Sequence, residues 1–98
     1  MRRSRVLAGG QPVLALTTNG RRSGAERTTT VAYLRHDGGY AVGAINLGSD
    51  RDPAWCLNLR ADPSAWIVVD GTRQAVRARE ARGGEAEALW RELTERLP

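Results

Sequence analysis

Residues 13–44, VLALTTNGRRSGAERTTTVAYLRHDGGYAVGA, predict three successive β-strands. The apolar run 13–16 and the alternating run after Thr30 are strand patterns. Asp37 and Gly38 form a hairpin turn signal that leads directly into the third strand. This segment therefore indicates a sheet built from antiparallel neighbours, and its turns mark where a ligand can approach.

The connection between the first two strands, residues 17–30, combines glycine, arginine and hydroxyl side chains. Gly20 and Gly24 can adopt positive φ and bring backbone N–H groups close to a ligand, and arginine pairs well with anionic oxygens. This segment also contains Arg21, Arg22, Ser23, Arg27 and Thr28. Two interpretations remain open at this point, a binding site for an anion and a solvated hairpin loop, because the segment matches no strong phosphate motif.

Length and composition indicate one small domain spanning residues 1–98, with residues 1–10 as a flexible lead-in. All fifteen basic residues are arginine, and the formal net charge is +4. A basic chain favours an anionic partner, which includes nucleic acid, an acidic membrane surface and a phosphorylated small molecule. Nucleic acid is not expected, because the arginines alternate with acidic residues along the chain and no group of several aromatic residues accompanies them.

The single Cys56 excludes an intramolecular disulfide, and with the single His36 it provides no set of metal ligands. No apolar run approaches the roughly 18 residues of a spanning helix, and the basic start is not followed by a signal-peptide core. We expect a cytoplasmic protein, with at most a peripheral membrane contact through its basic first residues.

Local patterns predict five strands and two helices. Asp52 is a candidate N-cap before Pro53, and Pro63 ends the first helix near Asp62. The predicted strands are 13–18, 27–36, 40–44, 65–69 and 72–80, and the predicted helices are 54–61 and 85–97. The run 65–69 has the pattern of a buried strand, and Asp70-Gly71 after it is a second hairpin turn signal. The resulting fold is mainly β (α+β), a small antiparallel barrel or half-barrel with one exposed edge. Either another chain covers this edge, or the domain is less complete than its relatives.

Helical spacing indicates which side chains share a face. Trp55 lies on the same side as Asn58 and Leu59, whereas Trp90 shares an apolar stripe with Leu93 and is expected to pack in the core. Simple structural roles are also open: Trp55 as a core aromatic, Asn58 as a partner for buried backbone, His36 as an exposed residue, and Cys56 as a small buried side chain.

An ordered set of short motifs resembles the deazaflavin-dependent nitroreductases, also described as F420H2-dependent quinone reductases, which adopt an FMN-binding-like split β-barrel. The similarity spans residues 13–90. Its motifs are Thr17-Thr18-Asn19-Gly20-Arg21-Arg22-Ser23-Gly24, Arg27-Thr28-Thr29, Asp52-Pro53-Ala54-Trp55, Asn58-Leu59, Ala61-Asp62-Pro63 and Glu85 with Leu89-Trp90.

The resemblance implies coenzyme F420 as cofactor, with FMN as a second choice. The reduced cofactor would transfer a hydride to an electron-poor acceptor such as a quinone, a nitro compound or an enone; the alternative is a truncated protein that only binds or carries the cofactor. The arginine-rich loop would hold the cofactor's phosphate and acidic tail, and residues 44–48 would lie along its ring. The implied cofactor-binding residues are Arg21, Arg22, Ser23, Gly24, Arg27, Thr28, Ala44, Ile45, Asn46, Gly48, Trp55 and Asn58.

The sequence departs from the family pattern in three places. Thr30 stands where relatives usually have proline, and Ala44 stands where serine is common. Relatives also continue past the equivalent of Pro98 with a tyrosine-containing segment and a final strand. We therefore expect the closing strand and part of the substrate pocket to be missing, and the resemblance assigns no catalytic residue.

Overall fold

The computed structural model describes residues 5–6, 12–43 and 52–95 of the chain. Its elements follow the order β-β-β-β-α-β-β-α. The strands are β1 (Arg5–Val6), β2 (Pro12–Asn19), β3 (Glu26–His36), β4 (Gly39–Val42), β5 (Ser64–Val69) and β6 (Thr72–Arg77), and the helices are α1 (Ala54–Ala61) and α2 (Gly83–Glu95).

The six strands in the described residues form one antiparallel sheet. Five of them have the order β4-β3-β2-β5-β6, and the short β1 pairs with β2 outside this order. The central strand β2 pairs with β3 from Val13 opposite Ala32 to Asn19 opposite Glu26. Its other edge pairs with β5. The two hairpins predicted from Asp-Gly pairs are present, and Asp37 adopts a φ of 54° in the first of them. Asparagine, aspartate and glycine are the residues that tolerate this backbone conformation, so the turn chemistry sets the pairing.

One face of the curled sheet carries the core. Alternate residues of each strand point to this face, because successive side chains of a strand lie on opposite sides. The buried cluster consists of Leu14, Leu16, Val31, Tyr33, Ala65, Ile67 and Val69. In β5 only this alternate set is buried, and Val68 is 37% exposed. The prediction that the whole of β5 is buried is therefore wrong.

The strands differ from the prediction in two places. The strand predicted over 72–80 ends at Arg77, and the stretch 1–10 predicted as a flexible lead-in contains β1. Residues Arg5 and Val6 pair with Val13 and Pro12, so the chain is hydrogen-bonded at this point. The last residue of the predicted strand 40–44 and the last two residues of the predicted helix 85–97 lie outside the described residues.

The first helix begins without a side-chain cap. Pro53 occupies the N-cap position, and its carbonyl oxygen accepts hydrogen bonds from the N–H groups of Cys56 (3.0 Å) and Leu57 (3.3 Å). Asp52, predicted as the N-cap, instead accepts a hydrogen bond from Arg60 at 2.6 Å. The prediction is wrong because the carboxylate finds a charged partner two turns along the helix, which is a stronger acceptor interaction than a backbone N–H.

The second helix presents Leu93 to the interior and Trp90 to solvent. Leu93 is 4% exposed, whereas Trp90 is 48% exposed. The expectation that Trp90 packs in the core is therefore wrong. Residues spaced three and four apart cover a wide arc of a helix surface. Here the part of that arc with Leu93 is buried, and the part with Trp90 is exposed. Neither of the two helices in the described residues is long and apolar enough to cross a membrane.

Polar side-chain pairs connect the start of α2 to the end of β3 and to the segment that follows β6. Glu85 accepts two hydrogen bonds from Arg79, both at 2.8 Å, and its Oε2 lies 2.9 Å from His36 Nε2. His36 was expected to be exposed and without a role, but it is half-buried and paired. The sequence separation of 49 residues explains why no local pattern indicates this contact.

Candidate functional site

The arginine-rich connection is a tight turn of residues 20–25. β2 continues to Asn19 and β3 begins at Glu26, so the connection is shorter than the predicted 17–30. The Gly20 N–H donates to the Ala25 carbonyl oxygen at 2.8 Å, and Gly24 returns a hydrogen bond to Gly20 at 2.8 Å. A side chain at Gly20 would meet the Ala25 carbonyl oxygen at 3.0 Å, and Gly24 has a φ of 75°. The two glycines therefore keep the turn compact and hold its arginines near the helix α1.

A groove of about 1030 Å³ lies beside this turn. Its walls come from the turn, from β3, from the start of α1 and from Leu93 of α2. Six of the predicted site residues line it: Arg21, Arg22, Ser23, Arg27, Trp55 and Asn58. The predicted residues Ala44, Ile45, Asn46 and Gly48 lie outside the described residues.

Two predicted site residues do not line the groove. Thr28 Oγ1 lies 2.7 Å from Thr17 Oγ1, its cross-strand neighbour. Because side chains alternate along a strand, Thr28 points to the face opposite to that of Arg27. Gly24 contributes to the turn through its backbone conformation. The structure therefore places Thr28 away from the site and gives Gly24 a conformational role.

The turn end of the groove is positively charged. Arg21, Arg22 and Arg27 are exposed, and within residues 12–43 and 52–95 no carboxylate forms an ion pair with them. Glu26 is the only acidic residue between positions 12 and 36. Guanidinium groups that no carboxylate of the described residues neutralises are suited in chemical type to an anion with several oxygens.

Asn58 connects this cationic end to the fold. Its side chain is 3% exposed. The Oδ1 atom accepts hydrogen bonds from the Arg21 backbone N–H (3.2 Å) and from Arg21 Nη1 (2.9 Å). The Nδ2 atom donates to Thr18 Oγ1 at 3.1 Å, and Thr18 is 1% exposed. The amide thus joins α1, β2 and the turn through its own hydrogen bonds.

Trp55 combines the two roles that were left open for it. It packs against the core cluster together with Leu59, and it also forms part of the groove wall. Because Trp55 and Asn58 are three residues apart on α1, both reach the groove from the same helix face. With Val31 and Leu93, Trp55 makes this part of the groove apolar.

Sequence reasoning missed the role of Asp62 at the end of α1. Its Oδ1 accepts from the Ser64 N–H at 3.1 Å, and its Oδ2 accepts from Asn19 Nδ2 at 3.0 Å. These two hydrogen bonds hold the pKa of the Asp62 carboxyl below its usual range, and the one from Ser64 has the larger effect. The sequence Asp62-Pro63-Ser64 carries the signal, since an aspartate side chain often bonds the backbone two residues on. This contact fixes the end of α1 against the end of β2.

Cys56 lies on α1 near charged neighbours. It is half-buried, whereas a buried side chain was expected. Burial raises the pKa of its thiol, and the positive charge of Arg60 only partly opposes this effect. A thiol with a raised pKa remains protonated at neutral pH and is a poor nucleophile. Cys56 is therefore a packing residue.

Comparisons with known proteins agree with this geometry. Residues 2–98 match the model of the F420H(2)-dependent quinone reductase family. The chain belongs to this family. F420H(2)-dependent quinone reductases of Mycobacterium tuberculosis strains H37Rv and CDC 1551 are 32% identical to it over 91 residues, which are 91% of this chain and 61% of each relative. The chain therefore spans less than two thirds of the length of these members of the family.

Two solved structures show the same fold. The structure of an F420-H2 dependent reductase matches with a TM-score of 0.75 and 29% sequence identity. The match covers 94% of this chain and 80% of the reductase chain. A chain described as a domain-swapped dimer has the same TM-score and identity, and the match covers 86% and 63% of the two chains. The prediction of an antiparallel half-barrel with two helices is thereby confirmed.

Proposed function

We propose that this chain binds coenzyme F420 in the groove and uses the reduced cofactor to reduce a quinone-type acceptor. One observation carries the proposal: three arginines without carboxylate partners in the described residues lie at one end of a groove whose other part is apolar. Family membership supports the choice of cofactor.

The residues of the groove fit this cofactor in chemical type. Coenzyme F420 carries a phosphate and an acidic tail, which match the guanidinium groups of Arg21, Arg22 and Arg27. Its flat ring matches the apolar wall made by Trp55, Val31 and Leu93. The groove volume of about 1030 Å³ is also at the upper end of typical cofactor sites.

When bound, the reduced cofactor supplies the hydride for the reaction. The chain's own residues bind and orient it. Arg21, Arg22 and Arg27 hold the anionic part, Ser23 adds a hydroxyl group beside them, and Trp55 covers one side of the groove and excludes water. Contacts from residues 44, 45, 46 and 48 to the ring stay a prediction, and no side chain is assigned as a proton donor.

The acceptor is proposed from the relatives. Both M. tuberculosis proteins are named as quinone reductases, which favours a reductase over a protein that only carries the cofactor. Nitro compounds are the second acceptor class that we propose to test. A cytoplasmic location with peripheral membrane contact stays a prediction.

Assembly with a second copy is also proposed. β4 and β6 are the outermost strands of the described sheet. One structural neighbour is a domain-swapped dimer, which supports pairing between chains of this fold. Sedimentation at several protein concentrations measures the molecular mass in solution. A mass that stays at the monomer value would contradict the proposed assembly.

The binding test is a fluorescence titration of oxidised coenzyme F420 with the purified protein. We expect saturable binding, and protein-dependent reoxidation of the reduced cofactor by the quinone menadione. Replacing Arg21 and Arg22 together with alanine should weaken binding by at least about a hundredfold, because two charge-assisted interactions are lost.

The matched control replaces Arg77 and Arg91, which are exposed and do not line the groove. This variant loses the same charge and should bind F420 as the unchanged protein does. Absence of binding by the unchanged protein would contradict the proposal. Equal weakening by the two double variants would show that the groove arginines are not the anion site.

A further inference from the structure

We infer that Asn58 acts as a positioning residue that holds the Arg21 guanidinium ready at the groove, rather than as a direct contact to the cofactor. This inference rests on the proposed function for the identity of the ligand. The positioning itself is a property of the ligand-free protein and has a separate test.

The hydrogen-bond count of the Asn58 amide supports this role. A side-chain carbonyl oxygen has two lone pairs, and both are used by Arg21 donors, at 3.2 and 2.9 Å. The amide orientation is determined by these partners, because the N–H groups of Arg21 require an acceptor. The side chain is 3% exposed. The Asn58 carbonyl oxygen is therefore saturated before any ligand enters the groove.

The neutral charge of Asn58 is the second observation. Three other arginines of the described residues pair with carboxylates, namely Arg60, Arg79 and Arg82. Arg21 is held by an uncharged amide instead, so its position is restrained while no carboxylate of the described residues neutralises its positive charge. A guanidinium group has five N–H donors, and Asn58 accepts from only one of its terminal nitrogens. The remaining donors stay available for an anion.

Thr18 holds the other end of the Asn58 amide. It is 1% exposed, lies on the central strand β2, and accepts the Asn58 Nδ2–H at 3.1 Å. Asn58 is thus bonded to a buried residue of the central strand, and Arg21 is bonded to Asn58. Restraining a long side chain before binding lowers the entropy lost on binding, which increases affinity.

The test uses Asn58→Asp, which has nearly the same shape. The carboxylate still accepts from Arg21, and the Thr18 hydroxyl can turn to donate to it, so the packing is retained. However, the new negative charge pairs with Arg21 and competes with the ligand phosphate. We expect affinity for coenzyme F420 to fall by at least about tenfold, the effect of losing one charge-assisted interaction.

A second ligand separates positioning from a direct contact. The deazaflavin that carries the ribityl chain but lacks the phosphate and the acidic tail should bind the Asn58→Asp variant within about twofold of its affinity for the unchanged protein. In an Arg21→Ala background, Asn58→Asp should add little further loss, because the group that it positions is absent. Equal losses for the two ligands, or full additivity of the two substitutions, would overturn the inference.

A ligand-free measurement keeps the inference independent of the cofactor. Nitrogen-15 NMR of the arginine side chains should show restricted Arg21 guanidinium motion in the unchanged protein and free motion in Asn58→Ala. Signals of Arg60 and Arg79 serve as internal controls for the fold. If the unchanged protein fails to bind F420 but Arg21 is restricted, the positioning role stands and the proposed cofactor is wrong. An Arg21 signal that is equally mobile in both proteins would refute the positioning role.

Discussion

The Glu85 carboxyl shows how neighbouring side chains change the pKa of a group. The two hydrogen bonds from Arg79 and the contact with His36 lower the pKa of the Glu85 carboxyl from 4.5 to about 2. The pairs are at the surface of the molecule, where water weakens the interaction of charges. These pairs contribute to the position of α2, because they connect its first turn to His36 at the end of β3 and to Arg79 in the segment after β6.

The lowered pKa predicts a dependence of stability on pH. A carboxyl group whose folded pKa lies below its unfolded value stabilises the fold above the unfolded value, and this contribution is lost as pH falls through the folded pKa. For Glu85 the relevant window runs from 4.5 down to about 2. We expect Glu85→Gln to be less stable than the unchanged protein at neutral pH, with a difference that shrinks across this window.

Urea unfolding of both proteins at several pH values measures this difference, and Glu87→Gln on the same helix is the control. Other carboxyl groups with lowered pKa, including Asp62 and Glu80, affect both proteins equally and cancel in the comparison. A stability difference that stays constant from pH 7 to about pH 2 would show that the Glu85 contacts do not depend on its charge.

The helices are the elements that complete the groove, and each is attached in a different way. α1 is joined to β2 by two polar links, one through Asn58 and one through Asp62. α2 has one buried side chain, Leu93, which also forms part of the groove wall. We therefore expect the position of α1 to depend on these hydrogen bonds together with the packing of Trp55 and Leu59, and that of α2 to depend on Leu93 together with the pairs of Glu85.

Replacing Leu93 with alanine tests the attachment of α2. Removal of a buried leucine side chain costs about 2–5 kcal/mol of unfolding free energy, so this variant should be clearly destabilised in urea. Trp90→Ala on the same helix is the matched control. Trp90 is larger but 48% exposed, so its removal should cost less than about 1 kcal/mol. A larger loss for Trp90→Ala would mean that α2 packs through its other side.

The whole molecule carries a net charge of +4, and its groove collects three arginines at one end. Binding of a small anionic cofactor should depend only moderately on ionic strength, because few charges are neutralised. Nucleic acid neutralises many phosphates at once, and affinity for it falls by roughly a thousandfold or more between about 50 and 200 mM salt when six to ten phosphates are contacted.

We predict less than about a tenfold loss of F420 affinity over the same salt range. The titration is repeated at each salt concentration, with single-stranded and duplex DNA as competing ligands. Strong DNA binding at low salt with a steep salt dependence would contradict the expectation that this chain has no nucleic-acid partner.

Local chemistry made much of the fold predictable. Apolar runs predicted β2 and β5, and the alternating pattern after Thr30 predicted β3. The Asp-Gly pairs predicted two hairpins, because only a few residue types adopt positive φ. The conformations of Asp37 and Asp70 agree with this reasoning. The arginine-rich turn and the face shared by Trp55 and Asn58 were also predictable, since both depend on neighbours within four residues.

The contacts that make the groove a site were decided by the tertiary structure. Asn58 meets Arg21 across 37 residues, Asp62 meets Asn19 across 43, and Glu85 meets His36 across 49. A hydrogen bond requires two atoms within about 3 Å, and no local pattern specifies that distance between remote segments. For the same reason Trp90 was wrongly expected in the core. The sequence determined which elements form and which side chains are charged, whereas their packing determined which charges are neutralised and which remain open to a ligand.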